Sequence, residues 1–309
     1  MNMVRLEQIL GAGQVKQNVC LAPYTSFRIG GPADVMVHPH NVEQLQAVLA
    51  YCQEENIPWF LLGKGSNLLV NDEGFRGVII LPEGEFAQVE VVECEITAGC
   101  SVSLARIARE ALDHELTGFE FAAGIPGTLG GGVYMNAGAY GGEMCQVLKS
   151  ITYLDVNGVH TIAPEDAQLG YRTSRFMQEG GIVLKATIGL QPGKREEILA
   201  KVQELAVQRK SKQPLEYPSA GSMFKRPEGY FAGKLIQDAG LRGFSVGDAQ
   251  VSEKHCGFVV NVGKASAAEV KELVYQVSQK VYETFGVRIW PEVRFLAPTG
   301  LKPLLELEE

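Results

Sequence analysis

The chain has 309 residues, which corresponds to roughly two domains at about 150 residues each. Hydrophobic residues make up 46% and charged residues 21%, the usual mix of a globular protein with an ordinary core. Lysine and arginine number 28 against 36 aspartates and glutamates, so the formal net charge is −8. This balance argues against a nucleic-acid-binding protein, and any anionic ligand would need a local cluster of cations.

The sequence gives no sign of a membrane segment, a metal site or a disulfide framework. No basic region followed by an apolar run opens the chain, and no stretch reaches the roughly 18 apolar residues of a membrane span. The six cysteines form no Cys-x-x-Cys pair, and His38 and His40 are the only close histidines. We therefore expect a cytoplasmic, metal-free protein.

The first third of the chain predicts a strand–helix–strand unit. Residues 34–37 are typical of a strand, and Asn41 is expected to cap a helix whose apolar residues Leu45, Val48, Leu49 and Cys52 recur at helical spacing. Residues 59–62 are predicted to form a short buried strand. The loop 63–67 follows at the carboxyl end of that strand, where α/β folds usually bind ligands.

The middle of the chain is rich in strand signals. A hairpin is predicted at 151–162, with Asn157-Gly158 as its two-residue turn. Further strands are expected at 78–81, 89–97 and 182–190, and a helix is expected to begin at Ser101 or Ser103.

A boundary is predicted within residues 192–215. A helix after Gly193 is expected to bury Ile198, Val202, Leu205 and Ala206 and to end in the basic run 209–212. The remaining predictions are a helix near 231–239, strands at 257–262 and 287–296, a long helix at 267–285, and a disordered tail after Pro298. The expected units are therefore 1–20, 21–192, 193–298 and 299–309.

Glycine is abundant, with 35 residues, and it is concentrated in two loops. The loop 63–67 offers successive backbone N–H groups, which suit a pyrophosphate. It lacks the upstream glycine of a Walker A loop, and no G-x-G-x-x-G motif occurs in the chain. The run 122–132 would let the backbone approach a ligand closely. Either loop alone is compatible with tight turns, but the two together favour ligand binding.

Seven motifs in order resemble the UDP-N-acetylenolpyruvoylglucosamine reductases, flavoenzymes of bacterial peptidoglycan synthesis. The resemblance runs from about residue 24 to residue 296, nearly the whole chain. The motifs lie at residues 25–34, 63–67, 124–127, 136–141, 171–176, 220–227 and 291–295.

The resemblance implies an α+β protein. An FAD-binding domain of the vanillyl-alcohol-oxidase (PCMH) type, in two α/β subdomains, would span 21–192, and a C-terminal α+β substrate-binding domain would span 193–298. The family reduces the enolpyruvyl ether of UDP-N-acetylglucosamine to UDP-N-acetylmuramate, with NADPH supplying hydride through FAD. The residues implied as FAD contacts are Gly63, Lys64, Gly65, Ser66, Asn67, Leu68, Gly124, Ile125, Pro126, Gly127, Gly131, Asn136, Ala137, Gly138, Ile182 and Val183.

Hydride addition to the terminal methylene carbon leaves negative charge beside the substrate carboxylate, so a cation and an acid are needed. By resemblance, Arg172 supplies the cation, Ser222 donates the proton and Glu292, expected in the last strand, assists both. From the residues alone, an arginine at position 172 is more often a surface charge or part of a structural salt bridge. Ser222 is likewise more often a turn serine that bonds to the backbone. Glu292 reads equally as an ion pair with Arg294 or another cation.

Further substrate contacts are implied for Tyr140, Lys212, Lys225 and Arg226, beside the three catalytic residues. Many relatives carry asparagine where this chain has Arg226. Lys254 and His255 are expected to be solvated. The chain lacks the insertion that in some relatives folds a tyrosine over the substrate, so it resembles the shorter class.

Two other functions remain open from the sequence. The chain could be an oxidase of alcohols or hydroxy acids on the same cofactor domain, which the Ser222 and Glu292 motifs disfavour. It could also be a nucleotide-sugar-binding module that has lost flavin, which the intact glycine loops disfavour.

Overall fold

The structure is a computed structural model that describes residues 1–11 and 13–305. The N-terminal part forms a four-stranded sheet in the order β1-β2-β5-β3, in which β2, β5 and β3 are parallel and β1 is antiparallel to β2. Its elements are α1 (Met3–Leu10), β1 (Val15–Cys20), β2 (Pro32–Val37), α2 (Val42–Glu54), β3 (Trp59–Leu61), β4 (Leu68–Val70) and β5 (Phe75–Ile80).

The expected strand–helix–strand unit is confirmed, with one correction. The side chain of Asn41 accepts a hydrogen bond from the backbone N–H of Gln44, and the apolar face of α2 packs into the core beneath the sheet. β3, however, is an edge strand and not a buried one, and Trp59 is 41% exposed. The sequence analysis did not predict α1 and β1, which pack against α2 and β2.

The central part forms a five-stranded antiparallel sheet in the order β12-β11-β13-β7-β6. Ser103 caps α3, whose apolar residues pack with those of α4 in one core. The elements are β6 (Val89–Val92), β7 (Glu95–Gly99), α3 (Leu104–Asp113), β8 (Leu116–Thr117), α4 (Leu129–Tyr134), β9 (Gly138–Ala139), β10 (Gly142–Glu143), β11 (Leu148–Asp155), β12 (Gly158–Ile162), α5 (Arg175–Gln178), β13 (Ile182–Gly189) and β14 (Gln191–Pro192).

The turn of the β11–β12 hairpin differs from the prediction by one residue. Asp155 and Gly158 are strand partners, so Val156 and Asn157 form the two-residue connection. Of these residues only Gly158 has a positive φ, 117°. The Asn157-Gly158 pair therefore does not form the expected turn, because that turn needs positive φ at both central residues.

The C-terminal part packs one long helix against a four-stranded sheet in the order β15-β18-β17-β16. The buried face of α8 includes Val270, Leu273, Val274 and Val277, and a capping box of Ser266 and Glu269 begins the helix. The elements are α6 (Arg195–Lys212), β15 (Ser219–Ser222), α7 (Ala232–Asp238), β16 (Ser245–Val246), β17 (Ala249–Val251), β18 (Phe258–Asn261), α8 (Ala267–Phe285), β19 (Arg294–Ala297) and β20 (Gly300–Lys302).

Three predictions for this part are wrong. Ala206 lies on the exposed side of α6. The last predicted strand begins at Arg294, so Glu292 lies in the irregular segment before it. The segment after Pro298 is not disordered as far as residue 305, because β20 pairs with β19 and the side chains of Leu304 and Leu305 are buried. Residues 306–309 of the expected tail lie outside the described residues.

A parallel pairing joins distant parts of the chain next to the first glycine loop. β4, which follows the loop 63–67, pairs with β19, so that Leu68 lies opposite Arg294. The backbone N–H of Arg294 also donates to the carbonyl of Asn67 (3.1 Å). Glu292 is thereby brought beside the glycine loop, although more than 200 residues separate them in sequence. Within residues 1–11 and 13–305, no helix is both long and apolar enough to cross a membrane.

Candidate functional site

A cavity of about 950 Å³ lies where the N-terminal, central and C-terminal parts meet. Its walls come from both glycine loops, from the end of β15, from α7 and from the irregular segment before β19. The volume is at the upper end of the range of small-molecule sites, so a large ligand can enter it.

The first glycine loop presents backbone donors to this cavity. Within the described part of the chain, the N–H groups of residues 63–67 donate to no protein acceptor. The loop is held from behind, because the N–H of Ser26 donates to the carbonyl of Gly65 (3.2 Å). A Cβ on Gly65, whose φ is 57°, would lie 2.3 Å from the carbonyl oxygen of Tyr24. Glycine is therefore required here, and unbonded backbone N–H groups in succession are suited to an anion.

The second glycine loop contacts the first. Thr128 caps α4 through its hydroxyl, which accepts from the N–H of Gly131 (3.3 Å). A Cβ on Gly63 would lie 2.9 Å from that same hydroxyl oxygen. Ile125, Pro126, Ile182 and Val183 add apolar wall. The donor set and the apolar surface together fit a ligand with a phosphate-bearing part and a planar apolar part.

Arg172 and Glu292 form an ion pair in the cavity wall. The Nε of Arg172 donates to Oε1 of Glu292 (2.9 Å), and its Nη2 donates to the carbonyl of Gly138 (3.2 Å). The carboxylate partner of Arg172 is therefore Glu292. Arg294 instead donates from Nη1 to the hydroxyl of Tyr134 (2.9 Å). One edge of the Arg172 guanidinium is thus fixed by protein.

Burial raises the pKa of Glu292, and the positive charges of Arg172 and Lys225 oppose that shift. The backbone N–H of Glu292 donates to the carbonyl of Met223 (2.8 Å), which places the carboxyl group next to the end of β15. Ser222 ends β15, opposite Phe258, and lines the same cavity as Arg172 and Glu292. The cavity therefore contains a cation, a hydroxyl and a carboxyl group with a raised pKa. A cation and an acid are the groups that hydride addition beside a carboxylate needs.

Most of the other predicted site residues also line the cavity. Arg226 does so, with its guanidinium 4.0 Å from the centre of the Phe231 ring. The predicted FAD contacts found in the wall are Gly63, Lys64, Gly65, Ser66, Asn67, Leu68, Ile125, Pro126, Gly127, Gly131, Ala137, Gly138, Ile182 and Val183.

Five predicted site residues lie outside that wall. The side chain of Asn136 is buried and donates to Glu143 (3.1 Å) and to the carbonyl of Gly170 (3.1 Å), so it supports the second loop from behind. Gly124 lies against the side chain of Arg209. Tyr140, Lys212 and Lys225 are exposed beside the cavity rather than in its wall.

The expected cluster of cations is present at the cavity. Among the described residues that line it, Glu292 is the only carboxylate. The lining cations are Lys64, Arg172, Arg209, Arg226, Lys234, Arg242, Lys254 and Arg294. The excess of positive charge around the cavity favours an anionic ligand, although the whole chain has a net charge of −8.

His255 was expected to be solvated, and this prediction is wrong. It is half-buried in the cavity wall, and its Nδ1 accepts from the backbone N–H of Gly257 (3.1 Å). Burial lowers the pKa of His255, with a smaller contribution from Arg242. Lys254 is exposed, and its Nζ donates a hydrogen bond to the carbonyl of Lys210 (2.7 Å).

Tyr171, which the sequence analysis did not assign, also lines the cavity. Its hydroxyl accepts from the backbone N–H of Arg226 (3.3 Å), and its ring lies 5.2 Å from the Arg172 guanidinium carbon. The position of Tyr171 immediately before Arg172 was the only signal in the sequence that could have found it.

Residues 33–163 match the family model described as an FAD binding domain. The match and the cavity together define a flavin-dependent oxidoreductase of the α+β class, and the predicted fold class is confirmed. Residues 213–296 match the model described as the C-terminal domain of UDP-N-acetylenolpyruvoylglucosamine reductase.

Whole-chain relatives agree with these two matches. A UDP-N-acetylenolpyruvoylglucosamine reductase of Lachnoclostridium phytofermentans is 50% identical over 296 residues, 94% of this chain and 96% of the relative. One from Clostridioides difficile is 46% identical, over 95% and 97% of the two chains. The crystal structure of the reductase from Thermus caldophilus aligns with a TM-score of 0.79 and 36% identity, over 91% and 98%. The chain belongs to the UDP-N-acetylenolpyruvoylglucosamine reductase family.

Proposed function

We propose that this protein reduces the enolpyruvyl ether of UDP-N-acetylglucosamine to UDP-N-acetylmuramate, a step of peptidoglycan synthesis, with NADPH as the hydride donor. The observation that carries the proposal is the Arg172–Glu292 ion pair, which lines one cavity together with Ser222 and the two glycine loops. The names of the relatives support the substrate.

FAD is proposed to lie against residues of the two glycine loops. The free N–H groups of residues 63–67 bind its pyrophosphate, and Ile125, Pro126, Ile182 and Val183 contact its apolar parts. The bound flavin supplies hydride transfer from NADPH to the substrate. We assign FAD binding to residues 21–192 and substrate binding mainly to residues 193–298.

Arg172 is proposed to stabilise the negative charge that develops on the substrate carboxylate. Its Nε and Nη2 are held by Glu292 and by the carbonyl of Gly138, so Nη1 is left to contact substrate. A guanidinium fixed in advance costs little reorganisation when charge develops beside it.

Ser222 is proposed to donate the proton to the carbon next to the carboxylate, and Glu292 to assist. A hydroxyl is a weak acid, so it needs a nearby group that can replace its proton. Glu292, whose pKa burial raises, is the group in the cavity wall that carries a proton at higher pH than an ordinary carboxyl. Arg226, with Tyr140, Lys212 and Lys225 at the rim, is proposed to bind the anionic diphosphate.

An anaerobic titration tests this function. NADPH should bleach the bound flavin, and the enolpyruvyl nucleotide sugar should then restore its absorbance with formation of one equivalent of UDP-N-acetylmuramate. Bleaching by an alcohol or hydroxy acid, without NADPH, would identify an oxidase instead. A purified protein that binds the nucleotide sugar but takes up no flavin would identify a binding module.

A further inference from the structure

One cation of the cavity, Arg209, has no assigned role. It lies in the last turn of α6, half-buried, and it lines the cavity beside Gly124 of the second glycine loop. A Cβ on Gly124 would lie 3.2 Å from Nη1 of Arg209 and 3.3 Å from its Cδ. The guanidinium is therefore beside the backbone that leads into residues 125–127 of the cavity wall.

Arg209 differs from the other lining cations in combining burial with the lack of a protein partner among the described residues. Within residues 1–11 and 13–305, no protein acceptor receives a hydrogen bond from its guanidinium, and no carboxylate pairs with it. The side chains of Lys64 and Arg226 likewise have no acceptor in the described part of the chain, but both are exposed to solvent. The lining cations that do have side-chain or carbonyl acceptors are Arg172, Lys234, Arg242, Lys254 and Arg294.

The surroundings of Arg209 leave its charge uncompensated. Burial lowers its pKa, and the hydroxyl of Tyr140 opposes that shift. Removing a charge from water without a partner costs free energy, which an anion in the cavity would recover. A planar guanidinium matches the geometry of phosphate oxygens particularly well.

We propose that Arg209 binds a phosphate group of a nucleotide that occupies the cavity beside residues 124–127, with Tyr140 at the same phosphate. The identity of the nucleotide rests on the proposed function, which supplies two sources of this chemistry. One is the pyrophosphate of FAD, and the other is the diphosphate of the UDP-sugar. The two sources can be distinguished by experiment, because FAD binds to the apoprotein and the UDP-sugar binds afterwards to the FAD-loaded protein.

The test compares Arg209→Gln with Arg209→Lys and with the matched control Lys210→Gln, an exposed neighbour whose removal changes the net charge equally. For each apoprotein, FAD affinity is measured by quenching of flavin fluorescence. For each FAD-saturated protein, the affinities for UDP and for uridine are measured from the change in the flavin spectrum. The thermal unfolding of each apoprotein is recorded as well.

We expect Arg209→Gln to weaken one of two quantities by about 10- to 100-fold, as for a charge-assisted hydrogen bond. A loss of FAD affinity assigns the phosphate to the flavin, and a loss in the ratio of UDP to uridine affinity assigns it to the substrate. Arg209→Lys should recover part of either loss, and Lys210→Gln should lose neither. The unfolding temperature of the Arg209→Gln apoprotein should be no lower than that of Lys210→Gln.

The proposal is overturned if Arg209→Gln matches Lys210→Gln in both affinities. It is also overturned if Arg209→Gln only lowers the unfolding temperature, which would give Arg209 a structural role. Failure of the proposed function is a separate result, since wild-type protein would then bind FAD without turnover of the enolpyruvyl sugar.

Discussion

At the scale of single residues, the side chain of Glu292 is subject to two opposing influences. Its burial favours the neutral carboxylic acid, whereas the hydrogen bond from Arg172 favours the carboxylate. A carboxyl group in this position can hold a proton and still stay close to a cation. In one reaction, Arg172 can therefore stabilise negative charge while Glu292 supplies a proton.

Replacing Ser222 with alanine should separate the two half-reactions. Reduction of the flavin by NADPH needs no proton donor to carbon and should be nearly unchanged. Reoxidation by the enolpyruvyl sugar should slow by ~10²–10⁴-fold, the usual contribution of general-acid catalysis. Stopped-flow absorbance of the flavin follows each half-reaction, and Ser222→Cys should recover part of the loss. Equal slowing of both half-reactions would mean that Ser222 shapes the site instead.

Glu292 should make the stability of the protein depend on pH. Because its pKa in the folded state lies above the ordinary value of 4.5, the folded state binds the proton more tightly than the unfolded state. The stabilisation is complete below pH 4.5 and is lost as the pH rises through the folded-state pKa. The free energy of unfolding of Glu292→Gln, measured by urea titration, should lack this loss. Parallel pH profiles for the two proteins would contradict the assignment.

At the scale of elements, helices with strong local signals were predicted correctly. α2 and α8 each combine a capping residue with apolar residues at helical spacing, and both have the expected bounds within a few residues. α1, β1 and β20 were missed because pairing or packing with elements distant in sequence stabilises them. The strand predicted at 287–296 begins too early, because Pro291 forms a bridge with Phe224 instead of continuing the pairing of β19 with β4.

The candidate site was predictable only where a motif marks it. Arg172, Ser222 and Glu292 lie in motifs of the family, and the structure brings all three to one cavity. Arg209 and His255 were missed because their surroundings come from tertiary contacts. A basic run at the end of a helix usually lies in solvent, and nothing local indicates that Arg209 faces Gly124.

The two glycine loops should respond differently to a bulky side chain. Valine at Gly65 should lower both FAD affinity and stability, because its Cβ would meet the backbone of Tyr24 and its φ is positive. Gly127 has room, with the nearest side-chain atoms 3.7 and 4.0 Å from a Cβ. Gly127→Val should therefore keep the unfolding temperature of the apoprotein and weaken FAD binding by about tenfold or more. Normal flavin content in purified Gly127→Val would exclude this loop from the cofactor site.

Replacement of Arg226 should weaken the binding of the nucleotide sugar more than the binding of the flavin. Its guanidinium is exposed in the cavity and stacks on Phe231, while its backbone N–H is fixed by Tyr171. Arg226→Asn should raise the KM for the enolpyruvyl sugar by about tenfold and leave FAD affinity unchanged, since only a contact to substrate is lost. Steady-state kinetics with saturating NADPH measures this, and an unchanged KM would remove Arg226 from the substrate site.

At the scale of the whole molecule, the cavity exists because the two ends of the chain are held together. β4 pairs with β19, and just beyond β4 the carboxylate of Asp72 accepts from the backbone N–H groups of Ala267 (2.7 Å) and Ala268 (3.0 Å) at the start of α8. One short segment, 68–72, therefore contacts both β19, the strand that follows Glu292, and α8, the long helix of the C-terminal part. Any loosening here would move Glu292 relative to the first glycine loop.

Asp72→Ala should therefore destabilise the whole protein without touching the cavity wall. It removes two charge-assisted hydrogen bonds and a favourable charge at a helix N-terminus, together worth about 1–2 kcal/mol. The unfolding temperature of the Asp72→Ala apoprotein should fall by roughly 2–4 °C. That of Asp72→Asn should fall less, because the amide oxygen of asparagine can still accept a hydrogen bond. Glu73→Ala is the control, since Glu73 is adjacent and exposed and its carboxylate has no partner among the described residues. If calorimetry found equal unfolding temperatures for Asp72→Ala and Glu73→Ala, the contact between segment 68–72 and α8 would contribute nothing to stability, and the β4–β19 pairing alone would hold the two ends together.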